Sequence, residues 1–107
     1  MTVCIPVTES GQVGHGWGRT DRVALAEMDS GTICDWQEIQ VAWGVLHDQD
    51  GEGAHHARVV RFLREHHVDT VVANGMGAGM QHTLERLGVS VHLGASGDAR
   101  AAVASAT

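Results

Sequence analysis

The hydrophobic positions change period part-way along the chain. Thr2–Val7 (TVCIPV) is an unbroken apolar run rich in β-branched residues, the pattern of a buried strand. Gly11–Gly18 carries four glycines and predicts a loop. Arg22–Asp29 (RVALAEMD) and Thr32–Val41 (TICDWQEIQV) predict two further strands, joined across the turn former Asp29-Ser30-Gly31. Asp35, Gln37, Glu38 and Gln40 give the third strand a wet face, as expected at a sheet edge. Trp43–Gly53, with Asp48, Asp50, Gly51 and Gly53, reads as a loop. The spacing then turns helical. Ala54–His67 places Val59, Val60, Phe62 and Leu63 on one face and Arg58, Arg61 and Glu65 on another. Asp69–Asn74 (DTVVAN) predicts a buried strand and Gly75–Gly79 a tight loop. Met80, Thr83, Leu84 and Leu87 predict a second helix that Gly88 stops. Val89–Leu93 predicts a fifth strand, and Asp98–Ser105 an Ala-rich final helix with Ser96 or Asp98 as its N-cap.

The element order β-β-β-α-β-α-β-α predicts an α/β domain with helices covering a mixed sheet. It is the order of the ribonuclease H-like three-layer fold. That fold implies a five-stranded sheet in the order 3-2-1-4-5, strand 2 antiparallel, with about three helices. In it, Gly11–Gly18, Trp43–Gly53 and Gly75–Gly79 converge on one sheet edge. The helices that follow aim their N-termini there, which favours an anionic ligand.

Composition narrows the ligand. The chain has 107 residues and 11.3 kDa, one domain spanning 1–107. Its net charge of -6 and lack of a basic block argue against nucleic acid or a membrane surface as partner. No run of 18 apolar residues exists, and the first strand begins too early for a signal peptide, so a cytoplasmic protein is expected. The two cysteines then read as reduced thiols. Cys4, within a buried strand, is a core residue. Cys34 lies two strands away, and no C-x-x-C pair is present, which argues against a cluster held by four protein thiolates.

Eight histidines stand against no lysine; all seven cationic side chains are arginine. Codon bias is enough to explain the missing lysine, but the histidines are not evenly placed. His15 lies between glycines in the first loop. His55 and His56 open the first predicted helix, where the helix dipole disfavours a charged imidazole and keeps it available as a ligand. His47, beside Asp48 and Asp50, is a weaker candidate. His66 and His67 sit where a helix C-terminus favours cations; His82 and His92 fit surface roles. Gly75-Met76-Gly77-Ala78-Gly79 joins a strand to a helix and offers backbone donors. It is not G-x-G-x-x-G, and with no lysine after it, it is not a P-loop. Met76 and Met80 add thioethers, Met80 fitting core packing better. Trp17 could cover a ligand, and Arg19 could pair with an anion or with Asp21.

Taken in order, several segments resemble the dinitrogenase iron–molybdenum cofactor biosynthesis family. They are Ile5-Pro6-Val7, the glycine loop closing on Trp17-Gly18-Arg19, Glu52-Gly53-Ala54-His55-His56 before an RVVRFL helix, Val68–Asn74 running into Gly75-Met76-Gly77, and Leu87–Gly94. The resemblance covers nearly the whole chain. The family's first loop usually reads His-Phe-Gly-Arg; here the histidine stands one residue earlier, as His15, and flanking glycines give it reach. The resemblance implies a non-enzymatic binding or carrier protein. Its cargo would be iron–molybdenum cofactor or an iron–sulfur precursor, passed to a protein acceptor. The implied cofactor-binding residues are His15, Gly16, Trp17, Arg19, His55, His56, Gly75, Met76 and Gly77, with His15, His55 and His56 as metal ligands. The expected assembly state is a monomer or weak homodimer.

Two other readings stay open: a divalent metal-ion site built on His15, His55 or His56, and a nucleotide-binding regulatory domain using the Gly75–Gly79 turn. A two-metal nuclease needs several carboxylates at the strand ends, and the first strand carries none.

Overall fold

The computed structural model describes residues 1–107, the side chains of Asp50 and Glu52 excepted. Five strands form one sheet: β1 (Thr2–Pro6), β2 (Arg22–Asp29), β3 (Thr32–Gln40), β4 (Thr70–Val72) and β5 (Ser90–His92). Their order is β3-β2-β1-β4-β5. β2 runs antiparallel to β1 and β3, while β1, β4 and β5 are parallel. This is the expected ribonuclease H-like arrangement. Four helices cover it: α1 (Trp43–Asp50), α2 (Glu52–Glu65), α3 (Ala78–Arg86) and α4 (Ala99–Ala106).

Strand alternation sorts the core into two layers. Cys4, Val23, Leu25 and Val71 point to the face covered by α1, α2 and α3, where they meet Trp43, Val59, Leu63, Met80 and Leu84. Val3, Ile5, Ala24, Ala26 and Val72 point the other way, onto Ala99 and Val103 of α4. Cys4 is fully buried, and burial pushes its thiol far above the ordinary cysteine value, so it acts as a small core residue. β3 carries the wet edge its composition predicts. Its Trp36 is half-buried against α4, with the Arg100 guanidinium 4.6 Å from the ring centroid.

The helix ends are closed as their sequences allow. Asp98 caps α4, its carboxylate accepting from the Ala101 N–H at 2.9 Å. α3 ends on Gly88 in a left-handed conformation (φ 84°), with the Val89 N–H reaching back to the Leu84 carbonyl. α2 ends the same way on His67 (φ 53°), with the Val68 N–H donating to the Leu63 carbonyl. His66 packs its ring 4.5 Å from Phe62. Both histidines are thus accounted for by the end of the helix.

One expectation is corrected. Trp43–Gly53 is not a loop: α1 occupies Trp43–Asp50, and α2 starts at Glu52. α1 has no capping side chain. Its start is held by backbone carbonyls of the first loop's end. The Thr20 carbonyl accepts from the Trp43 N–H at 3.0 Å, and the Asp21 carbonyl from Val41 at 2.8 Å and Ala42 at 3.1 Å. The helix therefore depends on a long-range partner that its local sequence does not reveal.

Candidate functional site

Three segments meet at the edge of the sheet where β1, β3 and β4 end. The first loop runs in over the core and buries Trp17, which is 2% exposed. Trp17 stacks edge-on against Trp43 at the start of α1, the ring centroids 5.2 Å apart. Trp43 meets Phe62 of α2 at 5.5 Å and His55 at 6.3 Å in the same manner. This aromatic cluster fixes the two helices against the loop.

A cavity of about 340 Å³ lies above the cluster. The end of the first loop, Trp17 to Arg19, forms one wall. His47 of α1 with His55 and His56 of α2 forms the second. Met76 and the first turn of α3 form the third. No acidic side chain lines it among the described residues, although the chain carries a net charge of -6. Arg19 at its rim is bound by Asp48 at 2.9 Å, an exposed ion pair of little energetic value.

The polar atoms here are the unusual feature. Three buried side-chain nitrogens lack a hydrogen-bond partner among the described residues: Trp17 Nε1, His47 Nδ1 and His55 Nε2. All three residues line this cavity. Buried polar groups are normally satisfied, and each exception costs about 1–3 kcal/mol. The Asp48 carboxylate oxygen is 3.7 Å from His47 Nδ1, beyond hydrogen-bond range. The His47 and His55 rings stand edge to face at 4.8 Å. A Cβ at Gly18 would come within 3.4 Å of His55 Nε2, so this glycine keeps the imidazole's approach to the cavity open.

Burial holds His55 below the ordinary histidine pKa. A hydrogen-bonding approach to the Gly18 backbone opposes burial, though too long to count as a full hydrogen bond, and His47, Arg58 and His56 add smaller lowering effects. The sign for stability follows. Below about pH 6.5 the unfolded chain protonates this residue before the folded chain does, so stability falls as pH falls through that value. Urea midpoints measured from about pH 7 to pH 5 are expected to decline less steeply for His55→Met than for the wild type. Parallel slopes would remove His55 as a source of the acid sensitivity.

The expected site residues divide in two. Trp17, Arg19, His55, His56, Met76 and Gly77 line the cavity together. His15 and Gly16 do not: they line a neighbouring hollow with Thr8 and Arg22, separated from the first cavity by Arg19, which borders both. His15 is exposed. Gly75 is half-buried just before the cavity's third wall. Among the described residues, no group of three or more His, Cys, Asp or Glu side chains is placed to hold a metal ion. His82 and His92 are exposed, away from the cavity. Three contributors escape sequence reasoning or are underweighted by it. His47 is brought in by the unanticipated α1. Gly18 matters for the side chain it lacks. Met80, 5% exposed, belongs to the core and to the cavity floor at once.

The profile of the dinitrogenase iron–molybdenum cofactor family matches residues 1–107. The chain belongs to this family. Solved structures agree on the fold. The crystal structure of PH0822 superposes with a TM-score of 0.79 at 20% identity, covering 98% of this chain and 87% of that one. The NMR structure of a candidate NifB protein from Thermotoga gives 0.71 at 22%, covering 95% and 83%. The crystal structure of a candidate dinitrogenase from Methanocaldococcus jannaschii gives 0.65 at 8%, covering 97% and 85%. No curated protein matches the chain. Within the family frame, the three walls of the cavity fall on the segments whose order carries the resemblance: the loop to Arg19, the α2 start and the Gly75–Gly77 turn. No helix is long and apolar enough to cross a membrane among the described residues.

Proposed function

We propose that the protein is a non-enzymatic carrier that takes an anionic metal cluster of the iron–molybdenum cofactor or iron–sulfur precursor type into the cavity between Trp17–Arg19, His47, His55–His56 and Met76–Met80. One observation carries this reading. Three buried nitrogens without a hydrogen-bond partner among the described residues belong to side chains that line one cavity, and no described acidic side chain lines it. A sequence selected for stability alone would replace such atoms with apolar ones. Family membership supplies the class of cargo.

The chemistry suits transient holding. Imidazole is a ligand for iron, and a thioether is a weak, soft one. Gly77 caps α3 without a side-chain hydrogen bond, and no acidic residue occupies its first turn. The N–H groups that open α3 therefore face cluster sulfides with their dipole uncompensated. His47 or His56 would touch exposed iron. Few ligands and many hydrogen bonds let an acceptor protein remove the cargo without breaking several strong bonds.

The test is retention of isolated iron–molybdenum cofactor after anaerobic incubation and gel filtration, read by visible absorption and metal content. Wild type is expected to retain colour. Gly18→Leu, which fills the space in front of His55, is expected to lose it, while His15→Ala, in the neighbouring hollow, keeps it. Retention by Gly18→Leu together with loss in His15→Ala would move the cargo to that hollow and overturn this assignment.

A further inference from the structure

The proton on His55 sets what the cavity can bind. Arg58 Nη1 lies 3.3 Å from His55 Nδ1. A guanidinium has donors only, so Nδ1 must be the acceptor in this contact. A neutral imidazole that accepts at Nδ1 carries its proton on Nε2. The opposite tautomer would set two N–H groups against each other at the same place. The buried Nε2 is therefore an N–H donor, not a lone pair. Trp17 Nε1 can only donate as well. The two side chains, 1% and 2% exposed, are thus buried N–H groups beside one cavity with no full hydrogen bond among the described residues, the Gly18 backbone being the nearest approach to His55.

The opposite wall repeats the chemistry. The first turn of α3, Ala78 to Met80, presents backbone N–H groups with no side-chain cap and no acidic residue beside them. Donors on both walls, with no carboxylate lining the cavity among the described residues, match a ligand with acceptor atoms in several directions. A cation finds neither charge nor lone pair at His55 or Trp17.

We propose that this cavity recognises a tetrahedral oxyanion in its own right, with Arg58 fixing His55 as a hydrogen-bond donor to it instead of a metal ligand. This rests on the cavity being the protein's ligand site, as proposed above, but not on the cluster cargo. The anion sits between the indole and imidazole N–H groups and the start of α3. The volume of about 340 Å³ leaves room for it and for bridging water. Arg58 acts through His55 and is a positioning residue.

Calorimetric titration with sodium molybdate in a chloride buffer tests the inference, with sodium sulfate as a second tetrahedral probe. Wild type is expected to bind. Trp17→Phe and His55→Met each remove one charge-assisted hydrogen bond and are expected to weaken binding about tenfold or more. His55→Gln keeps an N–H donor and is expected to recover part of the loss. A long-range ¹⁵N spectrum of wild type is expected to show the proton of His55 on Nε2, and Arg58→Met is expected to shift it toward Nδ1 while weakening molybdate binding. This last change is one that a merely structural role for Arg58 would not produce. A wild-type proton on Nδ1, or molybdate affinity unchanged in both Trp17→Phe and His55→Met, would overturn the inference. Retention of isolated cofactor without molybdate binding would overturn it and leave the carrier reading standing. Molybdate binding without cofactor retention would do the reverse.

Discussion

Replacing Trp43 with alanine is expected to lower the unfolding temperature by more than about 10 °C and to remove a large part of the folding free energy. Trp43 is 2% exposed and touches Trp17, Phe62 and His55 edge-on. Truncating a buried tryptophan costs roughly 3–5 kcal/mol from lost burial and the cavity left behind. A domain of this length has about 5–16 kcal/mol in all. At about 4–8 °C per kcal/mol, the shift is well outside the error of a thermal melt. Trp43→Phe retains an aromatic ring and is expected to lose much less. Because Trp43 joins the first loop, α1 and α2, the alanine variant should also lose the near-ultraviolet circular dichroism of Trp17. A loss below about 1 kcal/mol would show that the aromatic cluster is not what fixes these elements together.

That cluster also marks where the sequence is hard to read. The strands announced themselves because their period is local. Val3, Ile5, Ala24 and Ala26 alternate with Cys4, Val23 and Leu25, and every one of them is buried on the side that alternation assigns. α2 and α3 were equally plain, since Val59, Leu63, Met80 and Leu84 recur at helical spacing. α1 has only Trp43 and Leu46 as apolar residues at helical spacing, its Val45 being exposed, amid Asp48, Asp50 and Gly51, residues that favour turns. What makes it a helix is the pair of carbonyls from Thr20 and Asp21, more than twenty positions away. No window of sequence contains that information.

The site follows the same division. Convergence of the first loop, the α2 start and the Gly75–Gly79 turn follows from topology, so His55, His56, Trp17 and Met76 could be placed in advance. The hollow that receives His15 instead depends on the path of a glycine-rich loop. That path is set by the Gly14 N–H donating to the Pro6 carbonyl at 2.9 Å and by the Val7–Val13 bridge. Glycine spacing alone leaves many such paths open. The tautomer of His55 is further removed still, since it requires knowing that Arg58, one helical turn on, turns back to Nδ1.

Stability and function pull apart at this edge. The aromatic cluster and the two core layers are well packed, while directly above them three nitrogens lack a hydrogen-bond partner among the described residues. In a domain of marginal stability that is a substantial loss, concentrated in one place. Such local inconsistency within a consistent fold is where ligand chemistry is expected. The rigid floor keeps the donors apart and aimed, so a ligand need not organise the site when it arrives.

Two glycine-to-alanine substitutions should separate helix propensity from this rigid floor. Gly44 lies in α1 and Gly53 in the first turn of α2. Alanine is intrinsically better in a helix interior by about 1 kcal/mol. A Cβ at Gly53 meets nothing within 4 Å, so Gly53→Ala is expected to be neutral or to stabilise by up to that amount. A Cβ at Gly44 would stand 2.8 Å from the Arg19 carbonyl oxygen. That atom is backbone and cannot rotate away, so α1 and the first loop must separate. Overpacking of this kind costs about 1–3 kcal/mol, enough to cancel or reverse the propensity gain. The displaced loop carries Trp17 and Gly18, and the displaced helix carries His47, so two walls of the cavity move apart. Gly44→Ala is therefore expected to lower the urea midpoint and weaken ligand retention together, while Gly53→Ala lowers neither. Equal stabilisation by both would mean that the contact between the Gly44 backbone and Arg19 does not define the cavity.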